Sequence, residues 1–131
     1  MNYIDELKGY ITSHSSLVFG TNLFIGKLPD TLTSVIAIQK STSEYNYSYG
    51  NKFGYSEENT IIRIRGTQVE NATRALATTM ETVLENLTNV SLTNYRIVRG
   101  WFSTPLYQLE GTDANNNFIY IGVYTSILER I

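Results

Sequence analysis

Apolar residues recur along the chain at two different spacings, and these spacings predict its elements. Ile4, Leu7 and Ile11 follow one another at three and four residues, which predicts a short amphipathic helix over residues 2–13. The charged residues of that helix are expected to face solvent: Asp5, Glu6 and Lys8. The chain is therefore expected to begin with a helix that covers one side of a core.

A longer helix is predicted over residues 67–90. Its apolar stripe comprises Ala72, Leu76, Met80, Val83 and Leu87, and Thr79 and Leu84 lie on the edges of that stripe. Thr67 followed by Glu70 matches a capping box, in which each side chain bonds the backbone amide of the other residue. The pattern thus predicts where this helix begins and which side it buries.

Strands are indicated where apolar residues run together or alternate. Residues 35–38 form a continuous apolar run, which is typical of a strand buried on both faces. In the segment 58–66, Ile62 and Ile64 share one face. The opposite face of that strand holds Ile61, Arg63 and Arg65. The second pattern predicts a strand with one face in the core.

The remaining segments predict a small hairpin and two further strands. Residues 17–29 form two short extended pieces around a turn. Residues 94–103 predict a strand with a bend or bulge at Gly100, ended by Pro105. Residues 118–129 predict a closing strand behind a turn rich in asparagine.

The order of these elements indicates a single α+β domain over residues 1–131. We expect a mostly antiparallel or mixed β-sheet, covered on one face by the two helices. A chain of 131 residues is long enough to bury its own core.

Composition narrows the function. Charged residues make up 17% of the chain, below the roughly 25% of soluble domains. Such a composition suits a surface that is buried against another protein, and a weakly charged monomer is the alternative. A net charge of −2 argues against a general nucleic-acid binder, and the lack of cysteine excludes disulfides and thiolate metal sites. No apolar run approaches the roughly 20 residues of a membrane helix, and the N-terminus lacks the basic start of a signal peptide. A cytoplasmic location is therefore expected.

No cluster typical of catalysis or cofactor binding stands out. His14, the single histidine, lies just past the first helix without a neighbouring carboxylate in sequence, as surface or cap histidines do. Glu57 and Glu58 would point to opposite faces of a strand, which makes them a poor acid–base pair. Asp113 begins half of a calcium-loop pattern that lacks the glycine and the terminal glutamate. We expect no catalytic residue, no metal and no cofactor.

Aromatic residues crowd into the segment 41–57. They are Tyr45, Tyr47, Tyr49, Phe53 and Tyr55. Tyrosine brings a large contact area and one hydrogen-bonding group, which suits a protein interface. Two other interpretations stay open: a loop that folds back over the core, and a surface that stacks on bases or sugars.

Four arginines lie on two of the predicted strands: Arg63 and Arg65, and Arg96 and Arg99. They form either a solvated face that pairs with acids across strands or a belt of ion pairs between subunits. The sequence leaves both interpretations open.

Two short motifs, in their order and spacing, resemble a known family. The segment GTNLFIGKLPD supplies Gly20, Thr21, Leu23, Phe24, Gly26, Leu28 and Pro29. The segment IIRIRG supplies Ile62, Arg63, Ile64, Arg65 and Gly66, ahead of the capped helix. From Leu17 to Ile131 the chain resembles the phage minor-capsid family, whose members look like tail-terminator or head–tail joining proteins. Asn22 stands where the family motif often has an acid.

The resemblance implies a structural virion protein of the tail or neck, without enzymatic activity, assembled in the host cytoplasm. It implies a ring of subunits, commonly six, that terminates the tail tube and joins the tail to the head connector. The implied partners are other copies of the chain, the major tail tube protein and the head connector or completion protein. DNA would pass through the ring without specific binding, and no membrane is involved.

Residues are assigned to these contacts as expectations. The expected subunit or tube interface comprises Leu23, Phe24, Ile25, Tyr45, Tyr47, Tyr49, Phe53, Tyr55, Arg63 and Arg65, with the first three exposed. The acids expected to face the channel are Glu44, Glu57 and Glu58. The alternative functions are a non-viral binding module that recognises peptide or glycan through the tyrosine-rich loop, and a small hydrolase whose site no motif reveals.

Overall fold

Two helices and seven strands form the described part of the chain, which in this computed structural model comprises residues 2–29, 32–41, 48–49 and 55–130. The elements are α1 (Tyr3–Ser13), β1 (Leu23–Ile25), β2 (Val35–Lys40), β3 (Ser48–Tyr49), β4 (Tyr55–Arg65), α2 (Glu70–Leu84), β5 (Leu87–Ser91), β6 (Tyr95–Thr112) and β7 (Phe118–Arg130). The first helix and the strands β2, β4 and β7 thus lie where the sequence pattern predicts them.

All seven strands belong to one open, mixed sheet. Its order is β1-β2-β4-β7-β6-β5, and β3 pairs with the start of β4. Only β1 is parallel to its neighbour, and the other pairs are antiparallel. The expected early hairpin is wrong, because β1 pairs with β2, and its contact with Phe19 is a single isolated bridge of parallel sense and not an antiparallel hairpin. The predicted α+β class is confirmed.

Both helices pack on the same face of the sheet. Leu7 and Ile11 of α1 and Ala77 and Met80 of α2 belong to one buried cluster. The strand residues of that cluster are Leu23, Ile36, Ile38, Ile62, Ile64, Ile97, Leu106, Tyr120, Tyr124 and Leu128. The predicted inward face of β4 and the burial of residues 35–38 on both faces are confirmed.

One acidic residue of α1 lies in the core instead of facing solvent. Glu6 is only 6% exposed, and its carboxylate accepts hydrogen bonds from the backbone amide of Asn94 at 2.8 Å and from its side-chain amide at 3.0 Å. The expectation that Glu6 faces solvent is wrong, because the turn between β5 and β6 supplies amide donors that satisfy the buried charge. This contact fastens α1 to that turn.

The long helix is shorter than predicted, and its buried stripe is shifted. The buried residues of α2 are Thr73, Ala77, Met80, Val83 and Leu84, whereas Ala72 is exposed. The helix ends at Leu84 because Asn86 adopts a left-handed backbone conformation, with φ of 53°, and turns the chain into β5. The predicted capping box is also wrong: the N-cap residue is Val69, and its backbone amide donates to the Thr67 hydroxyl.

Strand β6 continues past Pro105, so the prediction that this proline ends the strand is wrong. It has 18 residues and pairs with the 13 residues of β7 through four shifts of register. One shift lies between Thr104 and Gln108 and so accommodates Pro105 in an irregular part of the strand. Gly100 itself pairs regularly, and the bulge predicted there lies instead between Ile97 and Arg99.

The irregular part of β6 packs over a glycine of β7. Leu106 is fully buried there, and a Cβ added to Gly122 would stand 2.8 Å from its Cα and 3.0 Å from its Cδ1. Because Gly122 has no side chain, it leaves space for the irregular part of β6, between Thr104 and Gln108, to pack against β7.

Candidate assembly surface

The two faces of the sheet differ in what covers them. Along β7, Tyr120, Tyr124 and Leu128 point to the helices. Because side chains alternate along a strand, the residues between them point to the opposite face, which carries no helix in the described part of the chain and which we call the open face. Its apolar residues are Ile61 on β4 and Ile119, Ile121, Val123 and Ile127 on β7, and each is half-buried.

This apolar open face is unusual for a sheet whose outer side meets water. Antiparallel sheets with one solvated face normally alternate between apolar and polar residues. Here β7 is apolar on both sides over most of its length, and it lies near the centre of the sheet. Central apolar side chains without a helix above them are typical of a surface that another protein covers. Sequence analysis did not single out this surface, although the segment FIYIGVYTSILE signals it.

Ion pairs within the chain border the open face. The Arg63 Nε atom lies 3.7 Å from a carboxylate oxygen of Glu110, and the Arg65 Nε atom lies 3.1 Å from one of Asp113. Arg96 pairs with Glu129 at 2.8 Å. The structure thus favours the interpretation in which these arginines pair with acids across strands.

Arg65 and Asp113 also organise one end of the sheet. The Arg65 guanidinium donates to the carbonyl of Pro29, and the Asp113 carboxylate accepts from the backbone amides of Asn115 and Asn117, each at 2.9 Å. The Asn117 backbone and side-chain amides, with smaller contributions from Asn115 and Arg65, lower the pKa of Asp113. The predicted turn is confirmed, and Asp113 serves as its hydrogen-bond acceptor.

Both lateral edges of the sheet are poorly suited to pairing with another strand. On β1 the backbone amide of Leu23 donates to Val18 and its carbonyl accepts from Gly20, so the turn before β1 occupies part of that edge. On β5, at the other edge, Asn89 has a φ of 54°, which interrupts an extended strand. The open face is therefore a better candidate for protein contact than either edge.

The segment before β1 exposes different residues from those expected. Leu23 is fully buried, so the expectation that it is exposed is wrong, and Phe24 and Ile25 are half-buried. The exposed apolar residues are Val18 at 55% and Phe19 at 49%, which we call the apolar tip. The ammonium of Lys8 lies 4.3 Å from the centre of the Phe19 ring. The tip offers a compact apolar contact beside the edge of the sheet.

Within the tyrosine-rich segment, the structure describes the backbone of Ser48 and Tyr49, which form β3 and pair with the start of β4. Tyr49 on β3 pairs with Tyr55 on β4, which supports the hairpin arm that their alternation indicates. Four other assigned residues lie outside the described residues: Glu44, Tyr45, Tyr47 and Phe53. The interface that we expect of these aromatic residues stays a prediction.

The two adjacent acids of β4 lie on opposite faces of the sheet. Glu57 pairs with Ile127, on the open face, and Glu58 pairs with Ser126, on the face that carries the helices. Burial raises the pKa of Glu58, and Lys40 partly offsets the effect. These two carboxylates therefore do not form one acidic surface.

The remaining candidate, His14, lies at the end of the first helix. His14 is the C-cap residue of α1, where its Nδ1 lies 2.9 Å from the carbonyl oxygen of Tyr10 and its ring stacks on that of Tyr10. Among the described residues, no three acidic or histidine side chains gather in a way that could hold a metal ion. Within the same residues, no helix is both long and apolar enough to cross a membrane.

Comparison with known proteins reveals a relationship over almost the whole chain. Residues 6–130 match the family described as "Bacteriophage tail terminator protein". Among solved structures, the fold is similar to that of a chain in the "Virion of native gene transfer agent (GTA) particle", with a TM-score of 0.64 and 14% sequence identity. That similarity covers 98% of this chain and 99% of the other. No curated protein matches the sequence.

Proposed function

The chain belongs to the bacteriophage tail terminator family, and we propose that its copies form a ring that ends the tail tube and joins the tail to the head connector. Membership makes it a structural protein of a phage-type virion tail. The proposal extends this to a specific assembly, in which the chain acts by contact and not by catalysis.

The observation that carries the proposal is the apolar open face of a central strand. Ile121, Val123 and Ile127 are half-buried, and no helix of the described residues lies above them, while the edges formed by β1 and β5 are poorly suited to strand pairing. A surface of this kind gains free energy when another protein covers it, at about 25 cal/mol for each Å² of apolar area. Face-to-surface packing therefore accounts for assembly better than growth of the sheet from its edges.

A closed ring needs two different surfaces on each copy, because a head-to-tail contact joins unlike patches. We assign the open face as one surface and the apolar tip, Val18 and Phe19, as the other. Phe24, Ile25, Arg63 and Arg65 border these surfaces and stay in the proposed interface, whereas the buried Leu23 is left out of it. Tyr45, Tyr47, Tyr49, Phe53 and Tyr55 are kept as contacts to the tail tube, which their residue type favours.

The proposed partners follow from the role of a ring at the end of a tube. One side would contact the major tail tube protein and the other the head connector or completion protein, with six copies as the expected number. DNA would pass through the channel without specific binding, which a chain with a net charge of −2 favours. Of the acids expected at the channel, Glu57 and Glu58 lie on opposite faces, so at most one of the two would line it.

The test separates assembly from folding. A double variant, Ile121→Thr with Val123→Thr, keeps β-branched side chains on β7 and removes apolar area from the open face, and Phe19→Ser changes the apolar tip. The matched control is Leu109→Ser, because Leu109 is also exposed, at 53%, but pairs with Tyr120 on the other face. Light scattering after size-exclusion chromatography measures the oligomer, and urea denaturation measures folding.

We expect the control to form the same oligomer as the parent chain. The open-face and tip variants should remain monomers while they fold normally. Rings formed equally well by all variants would contradict the proposed surfaces. Tails of normal length in micrographs of a phage that lacks this gene would contradict the proposed function itself.

A further inference from the structure

A cavity of about 220 Å³ lies between the start of α1 and the strands β2 and β4, on the face that carries the helices. Its walls are aromatic and aliphatic, formed by Tyr3, Ile4 and Tyr95. The charged residues that line it are Lys40 on β2 and Glu58 on β4. Asn2 and Thr60 complete the lining, so the cavity combines apolar walls with polar groups, one acid and one base.

The carboxylate of Glu58 is poorly compensated for its degree of burial. Its side chain is only 16% exposed, whereas that of Lys40 is 60% exposed, and the two charged groups are 3.9 Å apart. That separation is too long for a hydrogen bond. Burial raises the pKa of Glu58, and the attraction of Lys40 offsets only part of the effect. The folded chain thus keeps a carboxylate where its charge costs stability.

Glu6, the other buried acid near α1, has a carboxylate that is fully hydrogen-bonded. Glu6 has both carboxylate oxygens bonded to Asn94, at 2.8 and 3.0 Å. A carboxylate needed only for folding can therefore be satisfied by amides within the chain. Among the described residues no hydrogen bond to the Glu58 carboxylate is present, so this carboxylate can accept one from an incoming donor.

The walls of the cavity suit a cationic group. The rings of Tyr3 and Tyr95 pack edge to face with centroids 6.0 Å apart, and the Tyr3 hydroxyl lies 2.6 Å from the Ser126 hydroxyl oxygen, which fixes the Tyr3 ring in place. Aromatic rings attract cations, and a carboxylate with little water around it attracts them more strongly than an exposed one.

We propose that this cavity binds the ammonium or guanidinium group of a lysine or arginine side chain from another virion protein, with Glu58 as its counter-charge. That the partner is a virion protein rests on the proposed function, whereas the preference of the cavity for a cation does not. The incoming cation would displace Lys40, whose exposure leaves it free to move into solvent.

Nuclear magnetic resonance titration of the isotope-labelled chain tests the proposal. The probes are N-acetyl-lysine methylamide and N-acetyl-arginine methylamide, and N-acetyl-norleucine methylamide serves as the uncharged control. We expect a cationic probe to shift the amide signals of residues 2–4, 58–60 and 95, and the uncharged control to leave them unchanged. The two cationic probes also decide between an ammonium and a guanidinium.

Three variants are expected to change the affinity for the cationic probes in different directions. Glu58→Gln should weaken binding by about tenfold or more, because it removes the counter-charge. Glu57→Gln, next to it but on the opposite face, should change nothing. Lys40→Met should strengthen binding, because it removes the competing cation. Thermal melting of each variant checks folding, and Glu58→Gln is expected to be at least as stable as the parent chain.

Equal binding of the norleucine probe, or unchanged binding by Glu58→Gln, would overturn the proposal. Since the titration uses the isolated chain, a failure to form rings would leave the result for the cavity unaffected, and the two proposals fail separately.

Discussion

Substitution of Gly122 by alanine tests how the irregular part of β6 packs on the sheet. The new Cβ would lie 2.8 Å from the Leu106 Cα and 3.1 Å from its backbone nitrogen. Contacts this short between a side chain and a backbone cannot be relieved by a rotamer change, so the excursion of β6 must move away from β7.

The change in the free energy of unfolding of Gly122→Ala results from two opposing contributions. Overpacking a well-packed core costs about 1–3 kcal/mol, and partial exposure of the buried Leu106 side chain adds to that cost. The lower backbone entropy of alanine in the unfolded chain returns about 0.5–1 kcal/mol. We therefore expect a net loss of about 2 kcal/mol in the free energy of unfolding, or about 8 °C in Tm for a chain of this length.

Gly9→Ala is the matched control for this experiment. Gly9 lies inside α1, and an added Cβ would find no atom within 4 Å, so the same chemical change should raise stability by about 0.5–1 kcal/mol. Thermal melting followed by circular dichroism measures both variants. If Gly122→Ala melted at the temperature of the parent chain, Leu106 would not pack over this position, and the described path of β6 would be refuted.

Three further predictions concern other contacts of the fold. Tyr124→Phe should leave the melting temperature unchanged or raise it, because the buried Tyr124 hydroxyl has no hydrogen-bond partner among the described residues. Tyr3→Phe should lower the free energy of unfolding by about 1 kcal/mol, because it removes the hydrogen bond to Ser126. Equal losses of stability in the two variants would contradict this reasoning. Val69→Ser should stabilise the chain by about 1 kcal/mol in urea denaturation, because the N-cap residue of α2 has no side-chain hydrogen bond; an unchanged midpoint would show that Thr67 already supplies the cap. Asp113→Asn should destabilise the chain at pH 7 but not in strong acid. The folded chain lowers the pKa of Asp113, so its stabilising contribution is complete above the ordinary carboxyl range and is lost as the pH falls through the lowered pKa; a loss independent of pH would contradict this.

The sequence correctly predicts those elements whose burial depends only on the spacing of apolar residues within one segment. The alternation of Ile62 and Ile64 and the apolar run of residues 35–38 follow from the period of a strand, and both are confirmed. The first helix is confirmed for the same reason. These patterns describe contacts that a segment makes with the core as a whole, so they do not depend on the identity of a distant partner.

The predictions that are wrong depend on distant residues. Glu6 can be buried only because Asn94, far away in the sequence, supplies two amide donors. Strand β6 can pass Pro105 only because Gly122 of another strand leaves room for it. The end of α2 was misread because leucine and valine continue the helical spacing beyond Asn86, whose backbone conformation decides the boundary.

The candidate surface could be predicted only in part. The segment around residues 18–25 was correctly singled out as apolar, but which of its residues are exposed depends on how β1 docks, and Leu23 proved to be buried. The open face was overlooked because an apolar strand can be buried on both sides within one chain, as residues 35–38 are. Only the placement of both helices on one face reveals that no described helix covers the other face of β7.

The left-handed residue in β5 has a consequence for the behaviour of the chain at high concentration. A β-sheet with two regular edges can recruit identical strands without limit, which is the geometry of amyloid fibrils. Asn89 interrupts the strand at one edge, and the turn bonded to Leu23 occupies part of the other edge. An identical strand therefore cannot pair regularly along either of these edges. The edges formed by β1 and β5 thus give identical strands no regular template for fibril growth.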